Sequence, residues 1–280
     1  MEKRRKILSL TAPWLIFSNF LQKIFIQRTL IRNFVVRDFK ARYIGSFIGL
    51  FWSVIHPIVL LVCYTFVFSI IFKAKPPKDL EQISFALFLF CSFLPWLFFQ
   101  DALQRSSTII IDNTNLVTKT IFPSEILPLT VLLSGFINHL IGFAILLCII
   151  FFTLGKVSVF ILLIPVYVLI LMLFTLGLSW FISVLNVFVR DVSQVLSVIL
   201  TFWFWFTPIF YTPDRFPQKI RFLVQFNPLA HIVTGYRDCL LRMRMPDLHT
   251  MAILGIASLI VFAAGGLFFR KMKREFVDVL

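Results

Sequence analysis

Charged side chains are missing from six long stretches of this sequence. These stretches are 46–72, 83–100, 126–154, 157–189, 192–213 and 250–269. A helix needs roughly 20 apolar residues to cross a bilayer core of about 30 Å, and each stretch is close to that length or longer. Their composition excludes an ordinary soluble domain. It predicts an all-α integral membrane protein with six transmembrane helices, the second of them continuing to about residue 104.

Sequence signals for nucleotide, metal and disulfide chemistry are also missing. The ten glycines include no G-x-x-x-x-G-K-[ST], so we expect no ATP hydrolysis by a P-loop in this chain. The four cysteines form neither a disulfide framework nor a CxxC metal site. His56 and His139 lie in apolar stretches with no carboxylate, and we interpret both as hydrogen-bonded contacts between helices. We expect no catalytic, cofactor-binding or metal-binding residues.

Basic residues are abundant and lie mostly at the two ends of the chain. Ten of the 27 Lys and Arg precede the first apolar stretch, and four follow the last. Basic residues near the ends of spans stay on the cytoplasmic side, so both termini are predicted to be cytoplasmic. The segment 214–247 is an exception, because it would lie outside and carries six Lys and Arg. The predicted organisation is a tail and interface helix over 1–43, a transmembrane domain over 44–272 and a cytoplasmic tail over 273–280.

The segment 20–43 has the pattern of an amphipathic helix. Phe20, Ile24, Ile31 and Val35 fall on one helical face, and most of the basic residues lie opposite. Such a helix can lie in the membrane interface with its cations toward anionic headgroups. The alternative is a simple positive anchor for the first span.

The segment 101–125, which joins the second and third spans, is predicted to contain a short cytoplasmic helix over 116–122. Asn115 is placed to cap this helix, and Pro123 is placed to end it. A short polar helix between two spans offers a surface to a soluble partner. The alternative is a connecting loop without a partner.

Two further stretches depart from a regular crossing. The stretch 157–189 has 33 residues, so it must tilt, kink at Pro165 or protrude from the membrane. Residues 222–236 are uncharged and broken by Pro228, which is short for a span and apolar for a loop. This pattern is typical of re-entrant helices, with an amphipathic external helix as the alternative.

Aromatic residues are the main positive signal, with 36 Phe and 6 Trp in the chain. They cluster in the runs 202–206, 95–99 and 51–52. The CH-rich faces of sugar rings stack on aromatic rings, so a passage with such walls would suit a carbohydrate or glycolipid. The alternative is Phe that faces lipid together with Trp at the membrane interfaces.

Ordered motifs resemble those of ABC-2 type permeases that export cell-surface polysaccharides. The first, R-D-F-K-A-R-Y at 37–43, is followed by Gly45 and Ser46, by L-F-W at 50–52 and by H-P at 56–57. The later motifs are N-L-V-T-K-T-I-F-P-S-E at 115–125, N-V-F-V-R-D at 186–191, T-P-I at 207–209 and N-P-L at 227–229. Together they cover most of residues 30–270.

The resemblance implies a half-transporter that works with a separate nucleotide-binding ABC ATPase in two copies, which would bind ATP and Mg²⁺. It also implies a homodimer around one conduit, formed mainly by spans one and five. The residues expected to couple to the ATPase are Asn115, Leu116, Val117, Thr118, Lys119, Thr120, Ile121, Phe122, Pro123 and Glu125. The residues expected at the interface helix are Arg32, Arg37, Asp38, Lys40 and Arg42. The expected conduit residues are Trp52, Trp96, Phe202, Trp203, Phe204, Trp205 and Phe206, and the expected outer-gate residues are Arg221, Asn227, Pro228 and Tyr236.

The expected function is that of a permease subunit, not an enzyme, in a multi-pass position in the bacterial inner membrane. The cargo would be a lipid-linked polysaccharide of O-antigen, capsule or teichoic-acid type, and no nucleic acid is expected as a partner. One alternative is an exporter of a drug or small lipid. A polyprenyl-linked transferase would need clustered carboxylates at one membrane face, but Asp38, Asp112 and Asp191 are single and scattered.

Overall fold

The structure is a computed structural model and describes residues 25–42, 49–119, 122–212 and 218–280. All the regular secondary structure in these residues is helical. The helices are α1 Arg28–Ala41, α2 Trp52–Thr65, α3 Phe85–Asp112, α4 Thr114–Lys119, α5 Ile126–Leu154, α6 Ile164–Phe188, α7 Val192–Phe206, α8 Arg221–Gln225, α9 Pro228–Leu240, α10 Leu248–Met272 and α11 Phe276–Val279. Outside the described residues lie the predicted N-terminal tail, the start of the predicted interface helix at 20–24, the motif positions 43–48, Thr120 and Ile121, and 213–217.

Five helices in the described ranges are long and apolar enough to cross a membrane. They are Trp52–Ile71, Phe85–Asp112, Ile126–Leu154, Val159–Phe188 and Leu248–Glu275. They match five of the six predicted spans. The helix in the remaining predicted span, α7, is apolar but has only 15 residues. At 1.5 Å per residue it extends about 22 Å, which is less than a bilayer core of about 30 Å. A sixth crossing therefore stays a prediction.

Two spans differ from their predicted bounds. α3 continues to Asp112, well beyond the predicted end near residue 104, and Ser106 and Ser107 in this extension are buried against the rest of the chain. In the fourth span, Val159–Leu163 form a 3-10 turn and α6 starts at Ile164 with Pro165 in its first turn. A proline there removes an N–H that has no helical partner anyway. Pro165 thus starts the α-helix and does not kink it.

α3 is the central helix, and 18 of its 28 residues are buried. α6 packs on it and also lies against α10, where two glycines let the backbones approach. A Cβ atom added at Gly265 would lie 2.1 Å from the carbonyl oxygen of Gly177. Small residues at such crossings allow the close packing that holds membrane helices together.

α2 and α7 lie at the periphery of the bundle. α2 contains no buried residue, and α7 buries only Leu196 and Leu200. The two helices are neighbours, because the ring of Tyr64 on α2 lies 6.3 Å from that of Phe204 on α7. On the side of the bundle that α2 and α7 form, few other parts of the chain cover these two helices.

Short helices mark the two ends of the bundle. At the first, which we call the α1 end, α1, α4 and α11 lie near the ends of the long helices, as in the ring contact of Phe188 with Phe276. At the second, the α9 end, α9 packs against the start of α3 and against α6, as in the contact of Tyr167 with Tyr236. The candidate functional residues divide between these two ends.

Candidate functional site

The helix α1 is amphipathic, and its predicted functional residues lie on two faces. Arg32, Arg37 and Lys40 are exposed, whereas Asp38 is half-buried. Ile31 is buried on the inner face. The exposed cations suit contact with headgroups or a partner, and Asp38 points to the chain itself.

Four charged groups join α1 to α3 at the α1 end. The Arg42 guanidinium lies 3.0 Å from the carboxylate of Asp101 and 3.7 Å from that of Asp38. Arg105 pairs with Asp38 and lies 3.8 Å from Asp101. Burial raises the pKa of the Asp38 carboxyl, and the charge of Arg42 opposes that rise. The sequence pattern did not show this cluster, because its two halves, one on each helix, are more than 50 residues apart in the chain.

A second set of contacts joins α1 to the segment that contains α4. Arg37 donates a hydrogen bond to Asn113 Oδ1 at 3.3 Å, and Arg37 also lies over the ring of Phe34. The ring of Phe34 lies 5.3 Å from that of Phe122. α1 therefore contacts the chain on both sides of α4.

A short helix lies in the segment where the coupling helix is predicted, and its coupling role stays a prediction. α4 begins at Thr114, before the predicted start at residue 116, and is described as far as Lys119, while Phe122 is not helical. Asn115 is exposed within α4 and does not cap it. Asn113 directly precedes α4, and its carbonyl accepts a hydrogen bond from the backbone N–H of Leu116 in the first turn. Of the other predicted coupling residues, Leu116, Val117, Thr118, Phe122 and Pro123 are half-buried.

Glu125 makes contacts within the chain. Lys273 donates a hydrogen bond to its Oε2 at 2.6 Å, and the indole N–H of Trp180 donates to its backbone carbonyl at 3.0 Å. Glu125 therefore joins the start of α5 to α6 and to the end of α10. Lys273 thus neutralises the Glu125 carboxylate within the chain, and the coupling role of Glu125 stays a prediction.

The aromatic run at 202–206 splits between two faces of α7. Phe202 and Trp205 are 63% and 49% exposed. Trp203 and Phe204 turn inward, where Trp203 lies edge-on to Phe99 at 5.1 Å. Phe206 is half-buried at the helix end. The helical period allows only part of a five-residue run to face any one surface.

Two other predicted conduit residues, Trp52 and Trp96, also differ in how exposed they are. Trp52 at the start of α2 is 43% exposed, whereas Trp96 in α3 is 1% exposed. The Trp96 indole donates a hydrogen bond to Gln100 Oε1 at 2.8 Å and packs against Phe204. The chain's own side chains enclose Trp96, and its conduit role stays a prediction. Trp203 also packs inward, and its conduit role likewise stays a prediction.

Asn227 links α7 to α9. Its Oδ1 accepts hydrogen bonds from the Trp203 indole at 2.9 Å and from the backbone N–H of Leu229 at 3.0 Å, which caps α9. Its amide nitrogen donates to Thr207 Oγ1 at 3.0 Å. Pro228 occupies the first turn of α9, where its missing N–H costs little. This gate candidate is therefore a buried junction between two helices.

The remaining gate candidates also differ in environment. Arg221 is half-buried at the start of α8, next to the exposed Phe222. Tyr236 is fully buried, and its hydroxyl lies 3.1 Å from Nε2 of His139. The other ring nitrogen of His139 lies 3.3 Å from the carbonyl oxygen of Leu94. The prediction that His139 is a buried, hydrogen-bonded contact between helices is confirmed.

Arg237 is a buried cation that sequence reasoning missed. It is 1% exposed, and it donates hydrogen bonds to Ser92 Oγ at 2.7 Å and to the carbonyl oxygen of Ile209 at 2.6 Å. Its guanidinium lies over the ring of Phe88. A buried arginine in an apolar protein needs several acceptors. The signal in the sequence was a cation directly after the uncharged segment 222–236.

A smaller ionic network surrounds the end of α9. Arg242 lies 2.5 Å from Asp79 and 3.0 Å from Asp238, and Arg244 lies 2.9 Å from Asp238. Partial burial opposes ionisation of Asp79, but the hydrogen bond and charge of Arg242 lower the pKa of its carboxyl. The network fastens the segment before α3 to α9. Part of the basic excess at 214–247 is therefore neutralised within the chain.

The sequence matches the ABC-2 type transporter family over residues 29–241. This range covers three quarters of the chain, from α1 to the end of α9. The chain belongs to the ABC-2 type transporter family. ABC-2 permeases are membrane-embedded transport subunits that generally work with an ABC ATPase.

Three curated relatives resemble this ABC-2 chain over most of their length. The O-antigen export system permease protein RfbA of Myxococcus xanthus is 28% identical over 260 residues, which are 92% of this chain and 97% of that protein. Two proteins of the same name from Klebsiella pneumoniae are 28% and 27% identical over 245 residues. Those two alignments cover 87% of this chain and 92% of each relative.

The ABC-2 assignment agrees with the chemistry of the chain. In the described ranges, no three His, Cys, Asp or Glu residues are grouped to hold a metal ion. The charged cluster at the α1 end joins α1 to α3, and the one at the α9 end joins the segment before α3 to α9.

Proposed function

We propose that this chain is the permease subunit of an ABC exporter that moves a lipid-linked polysaccharide across the bacterial inner membrane. The cargo would be of O-antigen, capsule or teichoic-acid type, and ATP hydrolysis on a separate subunit would supply the energy. The observation that carries the proposal is the near full-length similarity to permeases named for O-antigen export. Those names favour a polysaccharide over the alternative cargo, a drug or small lipid.

In this proposal the α1 end is cytoplasmic and the α9 end faces outward. The basic residues at 270–274 lie at the C-terminal end of the last span and support that orientation. α7 and the segment after it would complete a sixth crossing, and α8 and α9 would form re-entrant elements at the outer leaflet. Short or irregular elements at membrane depth need protein groups to satisfy their backbone, and Arg237 and Asn227 do this here.

A homodimer would place α2 and α7 of each copy around one conduit. The support is that these two helices bury almost nothing within a single chain. The exposed Phe202 and Trp205 would then form aromatic walls for sugar rings. Six crossings in a single chain would enclose little space for a polymer, which also favours two copies.

Movement would pass from the ATPase through α4 to α1. Support comes from the contacts of α1 with Asn113 and Phe122 on either side of α4, and from the ion pairs of α1 with α3. ATP binding by two partner subunits would press on α4, shift α1 and α3, and part the α2 and α7 helices of the dimer.

The test is export in cells together with purification of the complex. We expect the tagged chain to retain an ABC ATPase on purification. In cells that lack this chain, we expect the polymer to stay on the cytoplasmic side, where a surface antibody does not reach it. Removal of ATPase activity by a Walker A Lys→Ala change in the partner should have the same effect. Surface polymer that persists without the partner would overturn the proposal.

A further inference from the structure

Residues 273–280 fold back on the bundle at the α1 end. α10 ends at Met272, Lys273–Glu275 form a 3-10 turn, and α11 follows over Phe276–Val279. The side chain of Phe276 is fully buried, although charged residues directly precede it in the sequence. A large ring next to a basic stretch leaves water only where a packed surface receives it. The segment therefore has a specific place in the fold.

α11 packs against both α4 and α6. The ring of Phe276 lies 6.4 Å from that of Phe188 at the end of α6, and 5.6 Å from the ring of Phe269 on α10, to which it is edge-on. Leu280 is half-buried and packs against the apolar core. α11 is thus fixed on two long helices while it contacts α4.

The turn before α11 is attached to the segment that contains α4. Lys273 donates a hydrogen bond to Glu125 Oε2 at 2.6 Å, and Glu125 is the last residue of the motif at 115–125. α4 lies near the start of that motif. The segment 273–280 therefore contacts the motif at two points, through α11 and through Lys273.

Phe188, which contacts Phe276, belongs to a second motif, N-V-F-V-R-D at 186–191. In the same motif, Asn186 is 1% exposed, and its Oδ1 accepts a hydrogen bond at 3.1 Å from the backbone N–H of Ser193 in the first turn of α7. The second motif thus fixes the start of α7 to the end of α6. α7 is the helix that carries the outward Phe202 and Trp205.

We propose that the segment 273–280 is a positioning element that joins the movement of α4 to that of α7. It contacts both motifs at once, the first through Glu125 and the second through Phe188. A displacement of α4 reaches α11 by direct contact, passes to the end of α6 and then reaches α7 through Asn186. Packed side chains and hydrogen bonds of this kind carry coupling between distant parts of a protein. The inference rests on the proposed function, because it assigns the ATPase contact to α4.

The test compares export in cells with ATP hydrolysis by complexes purified from the same cells. We expect Phe276→Ala to retain the ATPase and its ATP hydrolysis, and to reduce surface polymer, detected by antibody, about tenfold or more, which lies within the usual range of coupling between sites. A contact that serves only folding would lower recovery of the complex and export together. Phe276→Leu keeps an apolar side chain of similar size and should restore export.

Val279→Ala on the same helix is the matched control, because Val279 is 45% exposed, and we expect normal export from it. If Phe276→Ala does not elute as a folded complex, Leu280→Ala shortens a half-buried side chain of α11 and should separate export from ATP hydrolysis in the same way. Normal export in whichever of these two variants is folded would overturn the proposal. A loss of complex and export in proportion in both variants would also overturn it.

Amide hydrogen exchange in the purified complex locates the effect. The backbone N–H groups of Val117 in α4 and Ser193 in α7 are both hydrogen-bonded. We expect Phe276→Ala to speed exchange at both groups and to leave exchange in the first half of α10 unchanged. Faster exchange at only one of the two groups would overturn the link between α4 and α7.

The outcomes separate this segment from the overall function. Full export by a folded Phe276→Ala complex overturns the role of the segment and leaves the exporter intact. A purified chain without any ATPase partner overturns the exporter and, with it, this role.

Discussion

The guanidinium of Arg237 lies 3.8 Å above the ring centroid of Phe88. This contact joins α9 to the start of α3, and hydrogen bonds extend it to Ser92 and to the carbonyl oxygen of Ile209. Ile209 belongs to the non-helical segment after α7, where backbone carbonyls lack helical partners. Arg237 thus donates to this buried carbonyl the hydrogen bond that water would donate at a protein surface.

We expect Arg237→Met to destabilise the α9 end. The change leaves the carbonyl of Ile209 without this donor, at about 1–3 kcal/mol for a buried group, whereas the hydroxyl of Ser92 keeps its hydrogen bond to the carbonyl oxygen of Phe88. Thermal unfolding in nanodiscs should show a clear loss of stability. Arg244→Met is the control, because the side chain of Arg244 is 61% exposed and its pair with Asp238 is worth at most about 1 kcal/mol. Equal melting of the two variants would contradict this role.

The two tryptophans of α7 should respond differently to substitution. Trp203→Ala removes a packed ring and the hydrogen bond to Asn227, so we expect a loss of roughly 3–5 kcal/mol in stability. Trp205→Ala should cost less stability than Trp203→Ala and slow export, since Trp205 is 49% exposed and only the rest of its ring packs on Phe210. Melting curves and an export assay on both variants check this. Normal export in the folded Trp205→Ala variant would show that this ring faces lipid.

Charge reversal can separate internal from partner contacts at Glu125. Glu125→Lys places two cations together and should weaken both folding and recovery of the ATPase, because Lys273 lies 2.6 Å away. The double change Glu125→Lys with Lys273→Glu restores the pair, and we expect it to recover both properties. ATPase binding that stays lost in a stable double variant would mean that Glu125 contacts the partner directly.

The crossing of α6 with α10 should tolerate no added methyl group. Gly265→Ala would bring a Cβ atom to 2.1 Å from the Gly177 carbonyl, so the helices must separate. We expect a cost of about 1–3 kcal/mol, as for other overpacked sites. Gly255→Ala on the same helix is the matched control, because the nearest atom to its Cβ would be 4.0 Å away. Unfolding of both variants in one lipid composition gives the comparison.

The sequence predicted the long helices well, but it did not show which side chains are buried. Apolar length and missing charge are local properties, so five spans could be located from composition alone. The start of α4 at Thr114 and the start of α6 at Ile164 depend on single turns, where local patterns are ambiguous. The inward position of Trp96 and Trp203 depends on which neighbours pack against them, and no local pattern contains that information.

The sequence by itself determined that this chain is helical, apolar over spans of bilayer length and related to ABC-2 transporters, because these properties follow from residue type and order. Only the tertiary structure decided which charges are paired. Asp38 meets Arg105 across 67 positions, and Arg237 meets Ser92 across 145. Such contacts depend on how whole helices pack, since burial makes an unpaired charge costly and the fold supplies the partner.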